Sequence, residues 1–192
     1  MASFFKALIV AALGVALGLG ATWLAVERGY GFGAVNAGPW TSWPKTGSSE
    51  ADPYARAVMA RTAEVPLGAA EGMSFIAMTD GRGAALDARC EYIVRSPVPS
   101  ARFWSLTPMS PKGGRLAPED LRAGYTSAEV VRAQNGDFAI QLSREPRPGN
   151  WMPMPAAGPF LLMFRLYDTQ FSAVSSGLDA ASMPRIERGA CT

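Results

Sequence analysis

The chain reads as mainly β, an antiparallel β-sandwich with one leading helix, preceded by a single N-terminal transmembrane helix. Three observations predict this. Residues 7–26 run for twenty residues without a charge, an Asp52-Pro53 helix start stands before the folded part, and from residue 73 onward short β-favouring runs alternate with Gly, Pro and Asp turns. The 192 residues suit one domain plus an accessory segment.

The apolar run, ALIVAALGVALGLGATWLAV, is long enough as a helix to span a hydrocarbon core of about 30 Å. A cleaved secretory signal is the competing reading, with Lys6 as its basic start. The run continues through Trp23, Leu24 and Val26 and no clean A-x-A site ends it, which favours an uncleaved signal anchor spanning residues 1–28. Such an anchor would keep its short end in the cytoplasm and carry the rest across the membrane into an exported compartment. Gly14 and Gly18 form a small-xxx-small pair that would admit a second copy of the helix.

Residues 29–51 carry Gly, Pro, Ser and two tryptophans without a helical or alternating pattern, and read as a flexible linker. Trp40 and Trp43 would sit at the membrane interface or pack on the domain. Residues 52–192 form the domain. Asp52 caps a helix with Pro53 in its first position, Tyr54, Val58 and Val65 fall on or near one face, and Pro66 and Gly68 stop it. Strands are expected at 73–79, at 90–95 with Cys90, Tyr92 and Val94 on one face, and at 102–107. Asn135-Gly136 predicts a type I′ hairpin joining EVVRA to a strand with Phe138, Ile140 and Leu142 inward. After a loop at 144–159 with five prolines, FLLMFRLY is apolar on both parities and reads as a central strand.

Composition narrows the chemistry. There is no histidine, which excludes Ser-His-Asp and Cys-His catalysis and histidine-bearing metal sites. A formal net charge of +2, with 15 basic and 14 acidic side chains from Asp52 onward, argues against nucleic acid as a partner. No cofactor or metal motif is present in the sequence, since the glycine clusters lack a phosphate loop's following Lys-Ser/Thr. Cys90 and Cys191 have no CxxC spacing; in an oxidising compartment they could bridge, and in a reducing one they would be two unrelated thiols.

The order DPYARAVMARTAEVPLG, RFWSLT and GNWMPMPAAGPFLLMFRLYD resembles the family known as domain of unknown function 1214, over residues 52–192. The resemblance implies a β-sandwich of jelly-roll type. It also implies a Cys90–Cys191 disulfide in a periplasmic domain, because short membrane-anchored members end near a cysteine with a partner at the position of Cys90. In longer members a companion, domain of unknown function 1254, precedes this domain, so a separate protein resembling that companion is the implied partner. Those members often continue the FWSLT strand with Leu-Tyr-Asp, where this chain has Pro108 and Met109, and the family transfers no catalytic residues.

Two functions follow. A binding module would use Trp104, Asn150, Trp151, Arg165 and Tyr167 as an aromatic and cationic platform. The plainer reading makes the tryptophans core anchors and gives Arg165 the task of pinning the proline-rich loop. The alternative is a carboxylate-dependent envelope carbohydrate-active hydrolase, which needs two acidic groups in one cleft. Glu119-Asp120 is the one adjacent pair but reads as a solvated helical turn, Asp80 and Asp87 read as turn residues, and Lys112 lacks apolar surroundings that would lower its pKa.

Overall fold

The computed structural model describes residues 2–27, 33–62, 66–68, 70–114, 116, 121–169 and 179–191. Its first element, α1 (Ala2–Glu27), contains the 24-residue span Ser3–Val26, long and apolar enough to cross a membrane or serve as a signal sequence. The span is unburied by the rest of the protein. A helix apolar all round has no polar face to turn to water, in contrast to an amphipathic surface helix.

Among the described residues the chain then forms ten strands: β1 (Val35–Ala37), β2 (Trp40–Ser42), β3 (Gly72–Ala77), β4 (Cys90–Arg95), β5 (Ala101–Met109), β6 (Tyr125–Thr126), β7 (Ala139–Ser143), β8 (Asn150–Pro153), β9 (Leu161–Thr169) and β10 (Arg185–Cys191). The helix α2 (Pro53–Thr62) lies between β2 and β3. It starts as its sequence dictates, with Asp52 Oδ1 accepting from the N–H groups of Tyr54 (2.9 Å) and Ala55 (3.0 Å). Val65 lies outside the described residues.

The strands make two sheets, ordered β1-β2-β3-β9-β5-β6 and β10-β4-β7-β8, whose inner faces share one core. Strand alternation builds that core: Met73, Phe75 and Ala77 of β3, Trp104 and Leu106 of β5, and Leu162, Phe164 and Leu166 of β9 face Tyr92, Val94, Ile140, Leu142, Met152 and Ile186 of the second sheet. Phe164 is its hub, with ring centroids 5.5 Å from Trp40, 5.9 Å from Trp104 and 6.4 Å from Phe75. Burying a side chain of this size contributes about 1.5–3 kcal/mol before packing terms. β9 is central, as its two-sided apolar sequence predicts, because Leu161 and Met163 on its other face are buried too.

Three expectations are corrected. The linker folds in part: β1 and β2 form a hairpin at the edge of the six-stranded sheet, joined to β3 through Trp40↔Ala77 and Thr41↔Ile76. Trp40 therefore packs on the domain, fully buried, with its indole N–H donating to Pro184 O at 2.7 Å.

The Asn135-Gly136 turn is not a two-residue hairpin. Gly136 takes a positive φ of 85° while Asn135 does not, and the residues before the turn form no strand. The Asn135 side chain bonds Asp137 through both its amide atoms, the N–H and C=O of Val131 are held by the Asn150 side chain, and both edges of β7 are paired, to β4 and to β8.

Antiparallel pairing was expected throughout, yet β7 and β8 are parallel, Ile140 lying opposite Asn150 and Ser143 opposite Pro153. A parallel neighbour normally needs a long crossover. Here residues 144–149 suffice because they double back over the sheet, fastened by Gln141 Nε2 to Pro148 O (2.9 Å), by Ser143 Oγ to Glu145 O (2.7 Å) and by an Arg147–Glu91 ion pair. Arg147 and Gln141 thus hold the start of the proline-rich loop.

Candidate functional site

Of the five candidate binding residues, Trp104 lies deepest. It is 4% exposed and stacks on Phe138 with centroids 5.1 Å apart and planes at 26°. It sits on the core side of β5. Arg165 and Tyr167 lie on the opposite, outer face of the same sheet: Arg165 is half-buried between Ser74 of β3 and Ser105 of β5, and Tyr167 stands 5.6 Å from the Phe103 ring. Asn150 and Trp151 belong to β8 in the other sheet. The five residues therefore do not line one platform.

Asn150 acts as a bracket. Its Oδ1 accepts from Val131 N–H (2.7 Å), and its Nδ2 donates to Val131 O (2.8 Å) and Ala139 O (3.0 Å). At 5% exposure, a buried amide satisfying three backbone groups accounts for its polarity without a ligand. Asn150→Ala is expected to lower stability by about 1–3 kcal/mol, because the backbone groups lose their partner. Chemical denaturation reads this directly, and a loss below about 0.5 kcal/mol would make the bracket dispensable.

Trp151 is partnered by a residue the sequence reading did not single out. The Tyr125 hydroxyl accepts from Trp151 N–H (2.9 Å) and donates to Trp151 O (3.2 Å), tying edge strand β6 of one sheet to edge strand β8 of the other. The Trp151 indole N–H donates to the carbonyl (3.2 Å) and hydroxyl (3.0 Å) of Ser143. An exposed strand edge invites pairing with other chains, and this clamp occupies part of it.

The acidic residues perform the turn chemistry their sequence context suggests. Asp80 is 2% exposed; its Oδ1 accepts from the N–H groups of Arg82 (2.9 Å) and Ala84 (3.0 Å), and its Oδ2 forms an ion pair with Arg188 Nε (2.9 Å). Asp87 grips Arg89 through both carboxylate oxygens, and the hydrogen bonds from the Arg89 side chain and backbone hold its pKa down at about 2. Lys112 is exposed in the turn after β5. Glu119 and Asp120 lie outside the described residues. No group of three or more Cys, Asp or Glu side chains that could hold a metal occurs among the described residues.

Cys90 and Cys191 face each other across β4 and β10, and their sulfurs are joined. The pair fastens the far end of β10 beyond a register shift between Arg188 and Cys191, where regular pairing lapses.

A search of curated proteins found no match. Among solved structures, the VPA0106 protein from Vibrio parahaemolyticus superposes with a TM-score of 0.59 at 19% identity, over 95% of this chain and 45% of that one. An uncharacterised protein from Burkholderia cenocepacia gives a TM-score of 0.40 at 19% identity, over 77% of this chain and 46% of that one. The chain thus spans less than half the length of these solved proteins. The likeness to the Vibrio protein concerns the fold alone. A family model described as protein of unknown function, DUF1214, matches residues 71–171, from the residue before β3 to just past β9. That segment covers more than half of the sequence and holds the FWSLT strand, the Asn150-Trp151 pair and the Arg165-Leu166-Tyr167 strand, so the chain belongs to the DUF1214 family.

Proposed function

We propose that the chain is a membrane-anchored module of the bacterial cell envelope whose β-sandwich, held in the periplasm, binds a second envelope protein. The single observation that carries this reading is α1, whose 24-residue apolar span leaves the sandwich core entirely. Lipid is the solvent in which such a surface costs least. The Cys90–Cys191 pair supports an oxidising compartment, where disulfides persist. Lys6, just before the uncharged run of residues 7–26, supports an orientation with that end in the cytoplasm, and Gly14 and Gly18, open on the helix surface, would admit a second copy.

Binding is favoured over carboxylate hydrolysis by how the acidic groups are used. Asp80, Asp87, Glu91, Glu129, Asp168 and Glu187 are each paired with an arginine, whereas hydrolysis needs two carboxylates free to act on one bond. A protein resembling the companion domain of longer family members is the partner this reading favours.

The test uses the full chain in cells, with a photocrosslinker in place of Pro148 on the exposed proline-rich loop. The expected result is a protein retained in carbonate-washed membranes, digestible by protease only from the periplasmic side, and crosslinked to one discrete partner. Release into the soluble fraction rejects the anchor. Crosslinking to bulk protein alone rejects the partner.

A further inference from the structure

We infer that the cleft between the 38–39 turn, the 81–82 turn and the start of β10 binds a phosphate monoester. The cleft has a volume of about 540 Å3, and Arg82, Arg185, Arg188 and Glu187 line it together with Pro39 and Pro184. Two of its charges are already balanced. Arg188 pairs with buried Asp80, and Glu187 Oε2 is held 3.0 Å from Arg95 Nε. Arg82 and Arg185 are exposed and form no ion pair with a carboxylate among the described residues.

Two arginines without a carboxylate partner among the described residues therefore line one cleft. A single carboxylate would offset one of them. A phosphate monoester carries a charge of about −1.5 to −2 near neutral pH and offers three oxygens to planar forks, so it offsets both.

Arg188 gives the cleft a fixed wall. Asp80 grips it, its Nη2 donates to Ala85 O, and its guanidinium lies 5.5 Å from the centre of the Tyr92 ring. A wall already ordered in the free protein loses little entropy on binding. Pro39 adds apolar surface against which the carbon part of an ester can rest. The inference is independent of the anchor and of the compartment, because it uses only the folded domain's own charges.

The experiment titrates glycerol 3-phosphate into the full chain in uncharged detergent micelles and measures the heat of binding. Saturable one-to-one binding is expected, with acetate at least about tenfold weaker. Arg82→Ala combined with Arg185→Ala is expected to weaken glycerol 3-phosphate by about tenfold or more while leaving the fold intact, since both side chains are exposed and unpaired. Repeating the titration in phosphatidylcholine discs with and without phosphatidic acid separates two sources of the same chemistry. Competition by phosphatidic acid identifies a lipid headgroup, and undiminished binding identifies a soluble ester. The inference is overturned if no saturable binding occurs, if acetate binds as well, or if the double variant binds like the parent.

Discussion

Replacing Cys90 and Cys191 with serine is expected to lower the thermal midpoint of the domain by about 10–20 °C. The cysteines are 101 residues apart in sequence, and closing a loop of that length restricts the unfolded chain by about 4–5 kcal/mol in the chain-entropy model. In a domain of this size each kcal/mol moves the midpoint by about 2–4 °C. The folded state points the same way. β10 is an edge strand with β4 as its one sheet neighbour, and its pairing is interrupted between Arg188 and Cys191. Without the covalent bond its start keeps the Trp40–Pro184 contact, the Gly81 N–H to Ile186 O bond (2.9 Å) and the Asp80–Arg188 pair, but its far end has no comparable anchor among the described residues. Near-ultraviolet circular dichroism of the full chain in micelles, heated with and without a phosphine reductant, measures the shift. An unchanged midpoint in protein that exposes two titratable thiols after reduction would mean that the bond contributes nothing to stability.

The same edge separates what the sequence makes legible from what it hides. β3, β4, β5 and β9 were readable because each is long enough to repeat its pattern: Cys90, Tyr92 and Val94 alternate inward, and β9 is apolar on both faces because both are covered. β1 and β2 escaped because three residues hold too few alternations to stand out from a Gly-Pro-rich stretch, and their stability comes from Trp40 reaching Pro184, 144 residues away. Asn135-Gly136 carried a strong local turn signal, and a turn does form, but a distant amide, Asn150, outcompeted the hairpin ladder on one side of it. The Tyr125 clamp, the Asp80–Arg188 pair and the cleft arginines are tertiary in the same sense. Arg82 and Arg185 are ordinary surface residues in sequence, and they line one cleft because the 81–82 turn bonds the edge of β10.

Trp104→Ala is expected to destabilise the domain by about 3–5 kcal/mol, the cost of removing a large aromatic side chain from a packed core. A ligand-stacking tryptophan would be exposed on at least one face, and its loss would spare the fold while abolishing binding. Trp104 is instead enclosed by Phe138, just before β7 of the second sheet, and by Phe164 from its own sheet, so truncation opens a cavity at the junction of the two layers. Trp104→Phe keeps a ring against Phe138 and is expected to cost less, roughly 1–2 kcal/mol. The ordering of the two variants in chemical denaturation decides the role. If Trp104→Ala unfolds at the parent's denaturant concentration, the tryptophan is not a core anchor and the stacking role regains its claim. If alanine is worse than phenylalanine by several kcal/mol, Trp104 holds the two sheets together, and recognition must fall to surfaces outside the core, where the cleft beside β10 offers charge that the fold itself leaves unpaired.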